Sequence, residues 1–205
     1  KDMYKDSLLV TSETKSILDL NKNFTLSSNT PLDSIKKDLI KLTDKDTLDV
    51  PFTIGLDRSK NEAEFVFEKT EENSYKLELL PEAIKDYVGN VNDTIQFKFV
   101  TKKLTVYGTI FLTLENVKTY PVVVQLTDKN EELVVKKEAT SYETIVFDHL
   151  DPSEYFIRIL FDTNNNGVWD AGNFLKGMQA EEVKHFPEVI DVRANLEIKQ
   201  TFILE

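Results

Sequence analysis

The chain has 205 residues, enough for two domains of about 100 residues that each bury a core as an all-β sandwich. Hydrophobic residues make up 40% and charged residues 30%, with 13 Phe and 7 Tyr, a composition that folds and that suits strands. The net charge of −11 repels phosphate backbones and anionic lipid, and no cluster of Lys and Arg interleaved with aromatics offsets it; nucleic acid is set aside as a partner and cations are favoured.

The chain has no cysteine, which removes thiol nucleophiles, disulfides and thiolate metal sites. No apolar run approaches the roughly 20 residues that span a bilayer, so this segment is expected not to insert directly. The sequence begins at Lys1 without an initiator Met, which reads as a mature or trimmed product.

In chain order, alternation of apolar and polar residues predicts strands over 24–26, 52–56, 64–67, 75–79 and 94–101. In the last of these Ile95, Phe97 and Phe99 share one face and Gln96 and Lys98 the other. Further strands are predicted over 104–107, 110–114, 122–126, 133–137, 144–147, 155–161, 189–192 and 196–204. Two short helices are predicted: 33–40, behind an Asp33 cap, and 81–87, behind Pro81. Strands about 8–12 residues apart, without a βαβ alternation, give an all-β fold of two consecutive sandwiches. The boundary falls at the charged stretch Thr101-Lys102-Lys103, giving domains 1–103 and 104–205.

The segment from Tyr75 through Asp86, Gly89 and Asn90, followed by Phe97-Lys-Phe-Val-Thr101, resembles the closing strands of bacterial surface Ig-like domains of the SbsA-like type. Those domains end on a tyrosine strand, a "D..GN" turn and an "F.T" strand. In the second half, Val122–Leu126, then Phe147, Leu150, Pro152, Tyr155 and Arg158, then the run from Asp162 to Asp170 resemble prealbumin-like modules of the Cna-B and carboxypeptidase-regulatory kind. Ser153 stands where such modules usually have glycine, which marks a divergent member. From Thr25 onward the two halves are similar to the C-terminal region of Bacteroidota cell-surface lipoproteins. That resemblance implies an extracellular or outer-membrane-anchored setting, a protein or glycan partner at the cell surface, and no catalytic activity.

One loop carries candidate chemistry. Within or just after 162–173 lie the only tryptophan and three of the six glycines, Gly167, Gly172 and Gly177, so unusual backbone is concentrated there. On the twelve-position calcium-loop template Asp162 is position 1, Asn164 position 3, Asn166 position 5, Gly167 the turn glycine, Val168 the carbonyl donor at 7 and Asp170 position 9. Alternate side chains can then turn inward around one hard cation. Position 12 is Asn173 rather than a bidentate Glu, so any calcium site is weak, roughly 10⁻⁴–10⁻³ M, unless Glu181, Glu182 or a carbonyl completes it. The same residues also make a metal-free turn, with Asn and Asp bonding their own backbone. Trp169 reads either as a sugar-stacking platform or as a side chain packed over the sandwich end.

Catalytic templates are missing: His149 and His185 stand in no zinc-binding spacing and read as turn or surface residues, and no nucleophile elbow or phosphate loop appears. No catalytic residue and no organic cofactor is expected. The sequence therefore predicts a non-catalytic structural or adhesive module stiffened by weak calcium binding, with a glycan-binding accessory module of a polysaccharide-utilising system as the alternative.

Overall fold

Alternating burial along most of the longer strands builds two-layered β structure in the computed structural model, which describes residues 7–172, 175 and 177–204. The chain divides into two compact units, Lys1–Lys103 and Leu104–Glu205. Among the described residues no helix is long and apolar enough to cross a membrane.

The first unit contains β1 (Val10–Ser12), β2 (Ile17–Leu18), β3 (Phe24–Ser28), β4 (Leu32–Ile35), β5 (Ile40–Thr43), β6 (Phe52–Asp57), β7 (Glu62–Phe67), β8 (Ser74–Leu79), β9 (Ile84–Asp86) and β10 (Ile95–Thr101). One sheet runs β1-β3-β7-β6 and the other β2-β10-β8-β5, with β4 and β9 forming a separate ribbon. Counted along the chain, this is the A-B-E-D sheet and the C-F-G sheet of an immunoglobulin-type sandwich. The short β2 joins parallel to β10, and the remaining pairs are antiparallel.

Aromatic side chains hold the two layers together. Phe24, wholly buried, stacks on Phe99 at 4.5 Å between ring centroids and meets Phe65 edge-on at 6.3 Å. Tyr75 stacks on Phe99 at 5.7 Å and meets Phe67 edge-on at 5.2 Å. Such pairs add about 0.5–1.5 kcal/mol each beyond burial of their area.

The second unit contains β11 (Gly108–Glu115), β12 (Val122–Thr127), β13 (Leu133–Ala139), β14 (Thr144–Leu150), β15 (Ser153–Leu160), β16 (Val183–His185), β17 (Ile190–Val192) and β18 (Glu197–Ile203). One sheet runs β14-β11-β18 and the other β13-β12-β15-β16, with β17 also on β15. The first sheet closes through a seven-residue parallel pairing of β11 with β18. Gly108 has to be glycine: a Cβ there would meet Val192 Cγ1 at 2.4 Å and Arg193 O at 2.7 Å.

Three local expectations are overturned. The predicted helix over 33–40 is β4, a 3₁₀ turn (Lys37–Leu39) and the start of β5, because pairing with β9 and β8 supplies backbone partners that a two-turn helix cannot match. The predicted helix over 81–87 is β9, entered through buried Ala83 and Ile84. There Asn92 Oδ1 accepts the Ile84 N–H at 2.6 Å, and Asp86 caps the following turn. The predicted strand over 104–107 is a 3₁₀ turn (Leu104–Val106), closed by the Tyr107 N–H on the Leu104 carbonyl at 3.0 Å. Leu104 and Val106 both stay exposed, so the alternation that predicted a strand finds no sheet to join.

Candidate functional site

The loop joining β15 to β16 begins where the β15 backbone leaves the sheet at Leu160 and returns at Val183, its direct partner. Asp162, the first template position, is 4% exposed. Its Oδ1 accepts the Asn166 N–H at 3.1 Å and its Oδ2 the Gly167 N–H at 2.6 Å. The carboxylate thus caps the turn that Asn165 (φ 59°) and Gly167 (φ 73°) make with left-handed backbone.

The remaining template residues come together as well. Asn164 Oδ1 accepts the Asn166 N–H at 3.1 Å, and Asn166 Oδ1 the Val168 N–H at 2.9 Å. Both asparagine Nδ2 groups donate to Asp170 Oδ2, at 2.6 and 2.7 Å. The Val168 side chain is exposed. Asn173, at the twelfth position, lies outside the described residues.

Sequence reasoning assigned Glu181 only a contingent role, yet this residue closes the loop. Nine percent exposed, its Oε1 accepts the Thr163 N–H at 2.8 Å and hydroxyl at 3.0 Å, while Oε2 accepts the Asp170 N–H at 3.1 Å. Its own N–H donates to the Asp170 carbonyl at 3.1 Å, and its carbonyl accepts the Trp169 indole N–H at 3.0 Å. One side chain therefore clasps both ends of the turn. Gly172 lets the chain return tightly, since a Cβ there would lie 2.8 Å from Ala180 N.

These residues fit a hard cation in part. Asp170 and the two asparagine amides converge on one point, and turning both amides over would replace two N–H groups by two oxygens there. With Asp162 they offer at most about six side-chain oxygens, the lower end of the six to eight that calcium takes. Against this, Asp162 already serves two backbone donors, and among the described residues no three Asp, Glu or His side chains gather as a metal cluster.

Trp169 is neither free nor packed away: its N–H is tied to Glu181 and half of its surface, 52%, remains exposed. It borders a groove of about 460 Å³ on the outer face of the β13-β12-β15-β16 sheet. His149 stands at φ 53° near the end of β14, 3.2 Å from the Asp148 carboxylate and edge-on to Tyr107 at 5.7 Å. His185 lies in β16, exposed and at the groove. The two histidines belong to separate sheets.

The first unit also uses a carboxylate structurally. Asp86, 1% exposed, accepts the Val88 and Asn90 N–H groups on Oδ1 at 3.0 and 2.8 Å, and Thr30 Oγ1 and Asn90 Nδ2 on Oδ2, both at 2.9 Å. Burial pushes this carboxyl up, but the bonds from Asn90, Thr30 and Val88 outweigh it and hold it below the ordinary carboxylate range. This is the "D..GN" turn read in the sequence.

No family model matches the chain, and no curated protein matches it. Among solved structures, α2-macroglobulin from Escherichia coli, spanning domains MG0-NIE-MG1, is similar at 12% identity and a TM-score of 0.43, covering 79% of this chain and 69% of that one. The N-terminal part of the bacterial S-layer protein SbsC is similar at 13% identity and 0.40, over 76% of this chain and 41% of that one. The major pilin subunit BcpA of Bacillus cereus is similar at 12% identity and 0.34, over 96% and 70%. Likeness at this level assigns the chain to no family.

Proposed function

We propose that the chain is a non-catalytic structural or adhesive module of an extracellular or outer-membrane-anchored surface protein. In this reading an Ig-like sandwich precedes a prealbumin-like one whose loop calcium stiffens. One observation carries the non-catalytic, structural part of it: in the loop that offered the most chemistry, the carboxylate oxygens of Asp162 and Glu181 all accept N–H or O–H groups of the loop itself. Carboxylates used this way hold backbone rather than move protons. The parallel β11–β18 closure and the placement of β14 in the sheet opposite its chain neighbours β13 and β15 support the prealbumin-like assignment, and the A-B-E-D and C-F-G strand order supports the Ig-like one. Incubation with panels of glycans, esters and peptides is expected to give no turnover. Turnover abolished by substituting one or two carboxylates would overturn the reading.

A glycan-binding accessory module is the second reading, favoured by the half-exposed Trp169 at the edge of a groove. Immobilised glycans that retain the wild-type protein and not Trp169→Ala would support it, and retention of neither would remove it.

A further inference from the structure

We propose that the groove beside Trp169 is built for a carboxylate-bearing sugar, such as a uronic acid residue within an acidic glycan; the inference rests on the glycan-binding reading and narrows it. Strand register makes the site. Lys136 lies opposite Gln125, Gln125 opposite Arg158, and Arg158 opposite His185, so four polar side chains form one row across β13, β12, β15 and β16 on the face turned away from the core. At about 4.8 Å per strand the row is roughly 14 Å long. Buried Leu160 floors the groove, and the indole of Trp169 borders it.

Charge favours an anionic group, here the carboxylate of a sugar acid. The chain carries 36 acidic residues against 25 Lys and Arg, yet among the described residues no carboxylate pairs with Arg158 or with Lys136. Arg158 Nε donates to Gln125 Oε1 at 2.6 Å, which orients the guanidinium and leaves its two terminal nitrogens for a bidentate acceptor. Lys136 Nζ rests on the neutral Gly167 carbonyl at 2.8 Å and keeps its charge unpaired. Among the described residues Glu131, exposed, is the one carboxylate lining the groove, so the two formal cations outnumber it.

A sugar fits this face better than an acidic peptide. Trp169 spends its N–H on Glu181 and so presents its surface as an apolar platform, while Gln125 and His185 offer hydrogen-bonding groups for hydroxyls. An extended peptide gains most of its affinity by pairing its backbone along a free strand edge, whereas this row runs across the face of the sheet, perpendicular to the strands, and offers side chains there.

The single tryptophan makes the test direct, because intrinsic fluorescence then reports from the groove itself. The chain is titrated, with chelator present, with a galacturonic acid hexamer, its fully methyl-esterified form, a neutral glucan hexamer and poly-glutamate. The acidic hexamer is expected to give a saturable change. Esterification, or Arg158→Gln, should weaken it at least about tenfold, and raised salt should weaken it further. If Arg158→Gln fails to fold, Lys136→Gln must show the loss. Equal response to poly-glutamate, or an unchanged response in a folded Arg158→Gln variant, overturns the proposal. Binding of the neutral hexamer alone overturns the acidic assignment and leaves the glycan reading standing; no response to any probe removes both.

Discussion

Replacing Glu181 by Gln isolates the clasp that closes the β15–β16 loop. The amide keeps one oxygen for Thr163 but turns an NH₂ toward the Asp170 N–H, so the bond at 3.1 Å becomes a contact between two donors, and the two Thr163 bonds lose their charged acceptor. A hydrogen bond to a charged group contributes about 1.5–3 kcal/mol, and Thr163 and Asp170 remain accessible enough for water to recover part, which leaves an expected loss of about 2 kcal/mol. For a unit of roughly 100 residues this lowers the melting temperature by about 8–16 °C. Differential scanning calorimetry should therefore show one transition moving while the transition of the first unit stays in place. Trp169 fluorescence should shift in step, because its indole N–H rests on the Glu181 carbonyl. A fall of under about 2 °C with unchanged fluorescence would refute the clasp.

Asp86 binds its proton less tightly in the folded chain than in the unfolded one, so its contribution to stability is complete above the unfolded carboxyl value near about 4 and is lost as pH falls through the lower folded value. The first unit's melting temperature should thus drop below about pH 4, and Asp86→Asn should lower it at neutral pH while flattening that drop; an equally steep profile would contradict the turn's role. Gly108→Ala drives a methyl into Val192 and backbone oxygens and should cost the second unit about 1–3 kcal/mol in denaturant unfolding; an unchanged midpoint would contradict the packing at β11. Phe65→Ala, removing a wholly buried ring that meets Phe24 and Phe52, should cost the first unit about 3–5 kcal/mol on the same assay, and a loss under about 1 kcal/mol would show the aromatic layer to be loose.

What the sequence revealed follows from the range of each interaction. Strands such as β8 and β10 alternate strongly over six or seven residues and declare themselves locally. β1, β2 and β9 are two or three residues long and exist because partners distant in the chain meet them, as when Ile17 joins Val100. Ile35, Leu39 and Ile40 have helical spacing, but the β5–β8 ladder outweighs it. At the loop, the Asp162 turn was legible because its Asx bonds span five residues or fewer. The Glu181 clasp was not, since 18 residues separate it from Thr163 and nothing local marks that carboxylate among 36. The polar row across Lys136, Gln125, Arg158 and His185 exists only in the register of four strands, and no spacing along the chain encodes it.

The proposed stiffening of the 162–170 loop by calcium is tested by melting the chelated protein with and without 10 mM calcium, a concentration set about tenfold above the weak end of the expected affinity. With a dissociation constant of about 1 mM the gain is about 1.4 kcal/mol, a rise of roughly 6–11 °C in the second unit's transition, and Asp162→Ala should abolish it. A wild-type transition that moves by less than about 1 °C, or an Asp162→Ala variant that rises as far as wild type, would contradict the account.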